Sequence, residues 1–252
     1  DDLDKLDVKQ KDVNDYVSEV DRRAEEIIIS ALQKAYPNHS ILGEESGFIA
    51  GKDEGSDEGK DYQWVIDPLD GTTNFLHDFT HYAVSIACKH KGRLEHAVIV
   101  DPIRKDEFTA TRGQGTAYNG RRVRVSKRKG LDGALLGTGF PFKPSQQQHM
   151  DTYLKMFKDQ AQSCAGIRRA GSAALDLAYV AAGKLDGFWE IGLNEWDIAA
   201  GVLLVQEAGG LVCDFSGGHN NMSSGNIVCG NPKVLKGMLQ NIQPHLTDAL
   251  KN

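Results

Sequence analysis

The stretch Trp64-Val65-Ile66-Asp67-Pro68-Leu69-Asp70-Gly71-Thr72-Thr73-Asn74-Phe75 constrains this chain more than any other. An apolar strand, Tyr62 to Ile66, ends on Asp67. Pro68 has no N–H to give to a sheet ladder and turns the chain. Asp70 follows, and Gly71-Thr72-Thr73 opens a helix. Two carboxylates at a strand end are hard oxygen donors suited to Mg²⁺. The unbonded N–H groups of Gly71 and Thr72, at a helix start, suit a phosphate. The competing reading is a polar turn, since Asp-Pro and Asp-Gly are common turn dipeptides.

The rest of the chain narrows the class. Its 252 residues permit one large domain or two small ones with ample core. A net charge of −6 argues against a general nucleic-acid binder, so no direct nucleic-acid binding is expected. Cys88, Cys164, Cys213 and Cys229 form no Cys-x-x-Cys pair and read as reduced, mostly buried thiols of a cytoplasmic protein. No apolar run approaches the ~20 residues that span a membrane. The chain opens in a charged stretch without an initiator Met, and an N-terminal segment is expected to precede Asp1.

Residues 21 to 35 place Ala24, Ile27, Ile28, Ala31, Leu32 and Ala35 at helical spacing, which predicts an amphipathic helix. Ser40-Ile41-Leu42 reads as a short strand delivering Glu44. The acidic, Gly-rich run Gly51 to Asp61 reads as a surface loop near the site. Strands are expected at Ala83–Cys88, Leu94–Val100, Glu107–Thr111 and Arg121–Val125, with Asn119-Gly120 as a strong hairpin signal. The basic stretch Arg121 to Lys129 reads as a charged edge strand. From about Leu131 strands and helices alternate: a strand at Ala134–Leu136, helices at Met150–Gln162 and Ser172–Ala182, a strand at Phe188-Trp189, and a helix at Asp197–Ala208. Strands at Leu211–Asp214 and Ile227–Cys229 and a final helix, Lys233–Ile242, complete the pattern. Two halves are expected, residues 1–130 and 131–252.

No Cys-x5-Arg or G-x-S-x-G string is present, so attack by water fits better than a covalent enzyme. Each acid has a structural reading beside the functional one. Asp197 begins a helix and can serve as a cap, and Asp21 can serve the start of its own helix. Ser172 suits an N-cap. Glu44 and Glu45 are indistinguishable on physical grounds. Glu190, in an apolar strand, needs a partner if buried. His77, His81, His90 and His96 have no metal-binding spacing and read as structural or surface residues.

The string from Asp67 to Phe75 resembles the signature of the inositol monophosphatase family. Gly43-Glu44-Glu45-Ser46 upstream, and Trp196-Asp197 with Glu207-Ala208-Gly209-Gly210 downstream, extend the resemblance from about Lys11 to Asn231. The segment Gly171 to Gly183 is most similar to the bacterial SuhB type. The resemblance implies a layered α/β/α/β/α sandwich, an antiparallel meander followed by a mixed sheet with helices. It implies a phosphomonoesterase that takes myo-inositol 1-phosphate or a similar small polyol phosphate, with two or three Mg²⁺ ions and sensitivity to Li⁺. Glu44, Asp67, the Leu69 carbonyl, Asp70 and Asp197 would hold the metals. Asp21, Glu44 and Thr72 would act in catalysis: Asp21 would orient the Thr72 hydroxyl and that hydroxyl the water, while Glu44 would also hold a weaker third ion. Asp70, Gly71, Thr72, Gly171, Ser172, Ala173 and Glu190 would meet the substrate. A bisphosphate nucleotidase or fructose bisphosphatase of the same superfamily is the alternative. SuhB-type resemblance also implies a transcription scaffold, with a transcription elongation factor or RNA polymerase as partner, and a homodimer.

Overall fold

The computed structural model describes residues 8–12, 15–52 and 59–251, so the centre of the acidic run from Gly51 to Asp61 lies outside the described residues. A short hairpin of β1 (Val8–Asp12) and β2 (Asp15–Ser18) leads into helix α1 (Glu19–Ala35). The first large sheet is built from β3 (Ser40–Gly43), β4 (Gly47–Ile49) and β5 (Tyr62–Asp70), then, after the short helix α2 (Thr72–Leu76), from β6 (Ala83–His90), β7 (Arg93–Asp101), β8 (Asp106–Thr111), β9 (Gly115–Tyr118) and β10 (Arg121–Val123). Its strand order is β10-β9-β8-β7-β6-β5-β3-β4, with β3 parallel to β5 and the other pairs antiparallel. The meander expected from the sequence is therefore present.

Asn119 and Gly120 both take positive φ, 48° and 73°, as the two-residue turn joining β9 to β10 requires. Strand β10 is the charged edge that Arg121 and Arg122 suggested. It stops at Val123 rather than Val125, because the Val125 N–H leaves the ladder to donate to the Ala208 carbonyl at 3.2 Å.

The second half contains β11 (Leu135–Thr138), a 3₁₀ turn at Pro144–His149, α3 (Met150–Ser163), β12 (Gly166–Arg168), α4 (Ala173–Ala181), β13 (Gly187–Glu190) and α5 (Glu195–Glu207). It ends with β14 (Leu211–Cys213), α6 (Asn221–Ser224), β15 (Ile227–Gly230) and α7 (Pro232–Ile242). Its sheet runs β12-β11-β13-β15-β14, with the first three strands parallel and β15 antiparallel to both neighbours.

Alternation along the strands places the layers. On β13, Phe188 faces a core shared with Leu175 and Ile198, while Trp189 faces one shared with Met156 of α3 and Met238 of α7. Helices α4 and α5 touch strands of both sheets and so lie between them. Residues 198–205 of α5 are all buried, as a helix apolar on every side must be. Each such Leu or Ile contributes about 1.5–3 kcal/mol on full burial. With α1 against β5 on one outside and α3 and α7 on the other, the stack is α/β/α/β/α. The expected division near residue 130 falls between β10 and β11, yet Val65, Ile99 and Phe108 share one apolar cluster with Leu177 and Leu203. Among the described residues, no helix is long and apolar enough to cross a membrane.

Helix α1 departs from its apolar pattern. Its buried side chains are Asp21 and Glu25, whereas Ile27 is 63% exposed. The inward face of its first turns meets a polar site, so the acids at i and i+4 turn in.

Candidate active site

Strand β5 does not stop at Ile66. It continues to Asp70 through an irregularity: Asp67 pairs with Ser85 and Asp70 with Ala83, so Pro68 and Leu69 form a bulge. Pro68 is tolerated there because a bulge frees its position from the ladder. The bulge re-aims both acids, and the Leu69 N–H donates to Asp67 Oδ1 at 3.0 Å.

Glu44 arrives from the turn after β3, its N–H donating to the Ile66 carbonyl at 3.1 Å. Behind that turn lies Glu25, whose two carboxylate oxygens accept the N–H groups of Glu45 at 3.0 Å and Ser46 at 2.8 Å. Gly43 leaves the room: a Cβ there would stand 2.2 Å from Glu25 Oε1. Asp197 is the third residue of α5, and its Oδ2 accepts the Asn194 N–H at 2.7 Å, which completes a capping box. Asp70 reaches the start of α4, where Oδ2 accepts Ser172 Oγ–H at 2.6 Å and the Ala174 N–H at 2.7 Å. Ser172 Oγ in turn accepts the Leu175 N–H at 3.3 Å, so Ser172 caps α4 and locks Asp70 at once.

These placements crowd the carboxyls. Burial, then the charges of Glu44, Asp70 and Asp197, push the Asp67 carboxyl well above its ordinary range, and Asp67 is hydrogen-bonded to Glu44. Burial raises Asp70 to about 6 in spite of its hydrogen bonds from α4. Among the described residues, no three metal-binding side chains are already gathered as around an ion. The chemistry of the set nevertheless fits a hard divalent cation, which would relieve the repulsion.

Thr72 Oγ1 lies 3.1 Å from both Asp21 Oδ1 and the Leu69 carbonyl, so the expected Asp21–Thr72 pair is in contact. Gly71 has φ +99°, and a Cβ on it would press on the carbonyls of His81 and Gly171, at 3.1 and 3.2 Å. Asn74 Nδ2 donates to the His81 carbonyl at 2.7 Å and to the Ala170 carbonyl at 2.9 Å, joining the two halves beside Gly171.

Every residue expected to hold metal or substrate, from Glu44 to Asp197, lines one cleft of about 510 Å³, and Asp21 stands behind Thr72. His77, read as structural or surface, lines the same cleft, as do Asn74, Arg169 and Asp176. Sequence reasoning passed over Glu25, Asn74 and Asp176. Asn74 lay within the Asp67–Phe75 string, and Asp176 was the single acid in an apolar helix.

Glu190 is 8% exposed, and its burial pushes it up to about 8, partly offset by Arg169. A carboxyl held above its unfolded value of 4.5 adds stability below that pH and loses it as the pH rises through about 8. The melting temperature of Glu190→Gln minus that of the wild type should therefore grow from about pH 5 to about pH 8 and then level off. A flat difference across thermal melts in that range would place an ionised partner beside Glu190.

The sequence model of the inositol monophosphatase family matches residues 2–247. The chain is 64% identical to the Nus factor SuhB of Pseudomonas aeruginosa, over 99% of this chain and 90% of that one. Among solved structures, the extragenic suppressor protein suhB of Bartonella henselae superposes with a TM-score of 0.91 at 44% identity, over 97% of this chain and 91% of that one. Inositol monophosphatase from Anabaena (Nostoc) sp. superposes with a TM-score of 0.77 at 35% identity, over 89% and 86%. A family match over almost the full length, joined to two stacked sheets that meet at an acid-lined cleft, shows that the chain belongs to the inositol monophosphatase family, whose members are generally metal-dependent.

Proposed function

We propose that this chain is a Mg²⁺-dependent phosphomonoesterase acting on myo-inositol 1-phosphate or a similar small polyol phosphate. The observation that carries the reading is the gathering of Glu44, Asp67, Asp70 and Asp197 in one cleft, where Asp67 feels the charge of the other three. Glu44, Asp67, the Leu69 carbonyl, Asp70 and Asp197 would hold the ions. When bound, Mg²⁺ supplies a Lewis acid that acidifies water and neutralises phosphate charge. The chain's own residues do the remaining work. Asp21 accepts from Thr72 Oγ1 and so fixes the hydroxyl that would orient the attacking water. The N–H groups of Gly71 and Thr72 would meet phosphate oxygens, and the left-handed conformation of Gly71 favours close approach of the backbone. Glu190 would accept from a hydroxyl of the alcohol.

A panel of small phosphomonoesters assayed with and without Mg²⁺ tests this. Turnover should need the cation, favour the polyol ester and fall with Li⁺. Mg²⁺ should also raise the melting temperature, because it binds only the folded carboxylate set. Turnover unchanged by a chelator would refute the metal assignment. Cytoplasmic residence and a homodimer belong to the same proposal.

A second reading is favoured by the name of the 64% identical relative, a Nus factor. On that reading the chain also serves as a scaffold for a transcription elongation factor or RNA polymerase, through surfaces that do not need the metals.

A further inference from the structure

The wall of the cleft that carries Glu190 holds a second acid. Asp176 lies in the first turn of α4, in a helix otherwise apolar except for Tyr179. It is 2% exposed, and both it and Glu190 line the cleft. Among the described residues, no hydrogen bond or ion pair reaches either carboxyl; only the more distant charges of Arg169 and other groups act on them. Just past β11, Gly139 leaves the room that the Glu190 carboxyl fills. A Cβ at Gly139 would stand 2.0 Å from Glu190 Oε1, whereas one at Gly137 would press first on Leu185 and Phe188, at 2.9 and 3.2 Å.

Buried acids without partners cost stability. A helix start favours a nearby negative charge, but that alone does not explain why both carboxyls line the cleft. Arg169 and Lys143 line the same cleft, so this end is not a trap for organic cations. What remains is a ligand that donates hydrogen bonds without carrying charge. We propose that Asp176 is a specificity-determining residue that, together with Glu190, accepts hydrogen bonds from two hydroxyls of the alcohol part of a phosphomonoester, so that polyol esters are selected over esters of simple alcohols. The inference rests on the phosphatase reading above.

The test compares the wild type with Asp176→Asn on myo-inositol 1-phosphate and p-nitrophenyl phosphate in Mg²⁺. A site built around a substrate hydroxyl rejects an analogue that lacks it, because its own polar groups are then left unpaired. The variant should lose roughly 10- to 50-fold in kcat/KM on the inositol ester, mostly through KM, and stay within about twofold on the aryl ester. Its melting temperature should rise by about 2–4 °C, since a buried unpaired acid is gone. Asp176→Ser should show the same split between substrates and guards against a fault peculiar to the amide. Equal losses on both esters, no loss on either, or a lowered melting temperature would make Asp176 structural and overturn the inference. If the wild type hydrolyses both esters and the variant shows no split, this inference alone fails. Hydrolysis of neither ester by the wild type would overturn the phosphatase reading and this inference with it.

Discussion

Asp67→Asn is expected to lower Mg²⁺-dependent hydrolysis by roughly 10³-fold, about 4 kcal/mol of barrier, while raising the melting temperature of the metal-free protein. The two effects have one cause. Asp67 is buried among Glu44, Asp70 and Asp197, and its surroundings oppose its charge. An amide in its place keeps the shape and still accepts the Leu69 N–H, but it ends the repulsion. It also provides a single, uncharged oxygen where a hard cation needs a carboxylate. Mg²⁺ should then no longer raise the melting temperature. Binding to a transcription elongation factor, if it uses a surface of the fold, should persist. Kinetics, partner binding and thermal melts on one preparation decide the matter. Wild-type turnover by the variant would sink the site assignment, and failure of the wild type to bind would remove the scaffold reading.

The second large effect is expected from Asn74→Ala. Asn74 gives one proton to the His81 carbonyl and another to the Ala170 carbonyl, 96 positions further along the chain. It thereby fixes the distance between the Gly71–Thr72 backbone and the Gly171 loop. Removing it leaves two half-buried carbonyls short of a donor, which costs about 2 kcal/mol. The larger loss should be in turnover. A reacting group misplaced by ~1 Å can cost ~10²-fold, and a drop of that order in kcat/KM is the expected result. Asn74→Asp should fare no better, since a carboxylate cannot donate. Near-normal kinetics in either variant would mean that packing alone holds the two halves in place.

The site was more legible than its supports. The acids announced themselves because Asp67, Asp70, Glu44 and Asp197 sit in short strings with turn and cap residues whose geometry is local. Pairing of β9 with β10 was written in Asn119-Gly120 for the same reason. Strands β9 and β12, of four and three residues, carry too few positions to show a period. The bulge at Pro68 and Leu69 was mistaken for the end of a strand, because a proline signals loss of a ladder bond without saying whether the strand resumes. Glu25 was invisible to a search for apolar stripes. The face of α1 that turns inward carries acids where it meets the Glu44 turn, and helical periodicity registers hydrophobicity, not the polarity of what lies opposite. Asn74 and Asp176 owe their importance to residues far away in sequence, and no local pattern encodes that.

Asp70 carries two duties, lining the cleft and holding the first turn of α4 through Ser172 and Ala174. The double duty bears on how such a chain would look had it lost its chemistry. A descendant kept only as a scaffold would still gain from Asp70, because its helix would fray without it. Asp67 offers no reward that asparagine would not, since an amide keeps the bond from the Leu69 N–H and the folded chain without a cation is better off neutral there. An aspartate at position 70 is therefore weak testimony that hydrolysis is under selection. An aspartate at position 67, which burdens the empty protein, is the stronger witness.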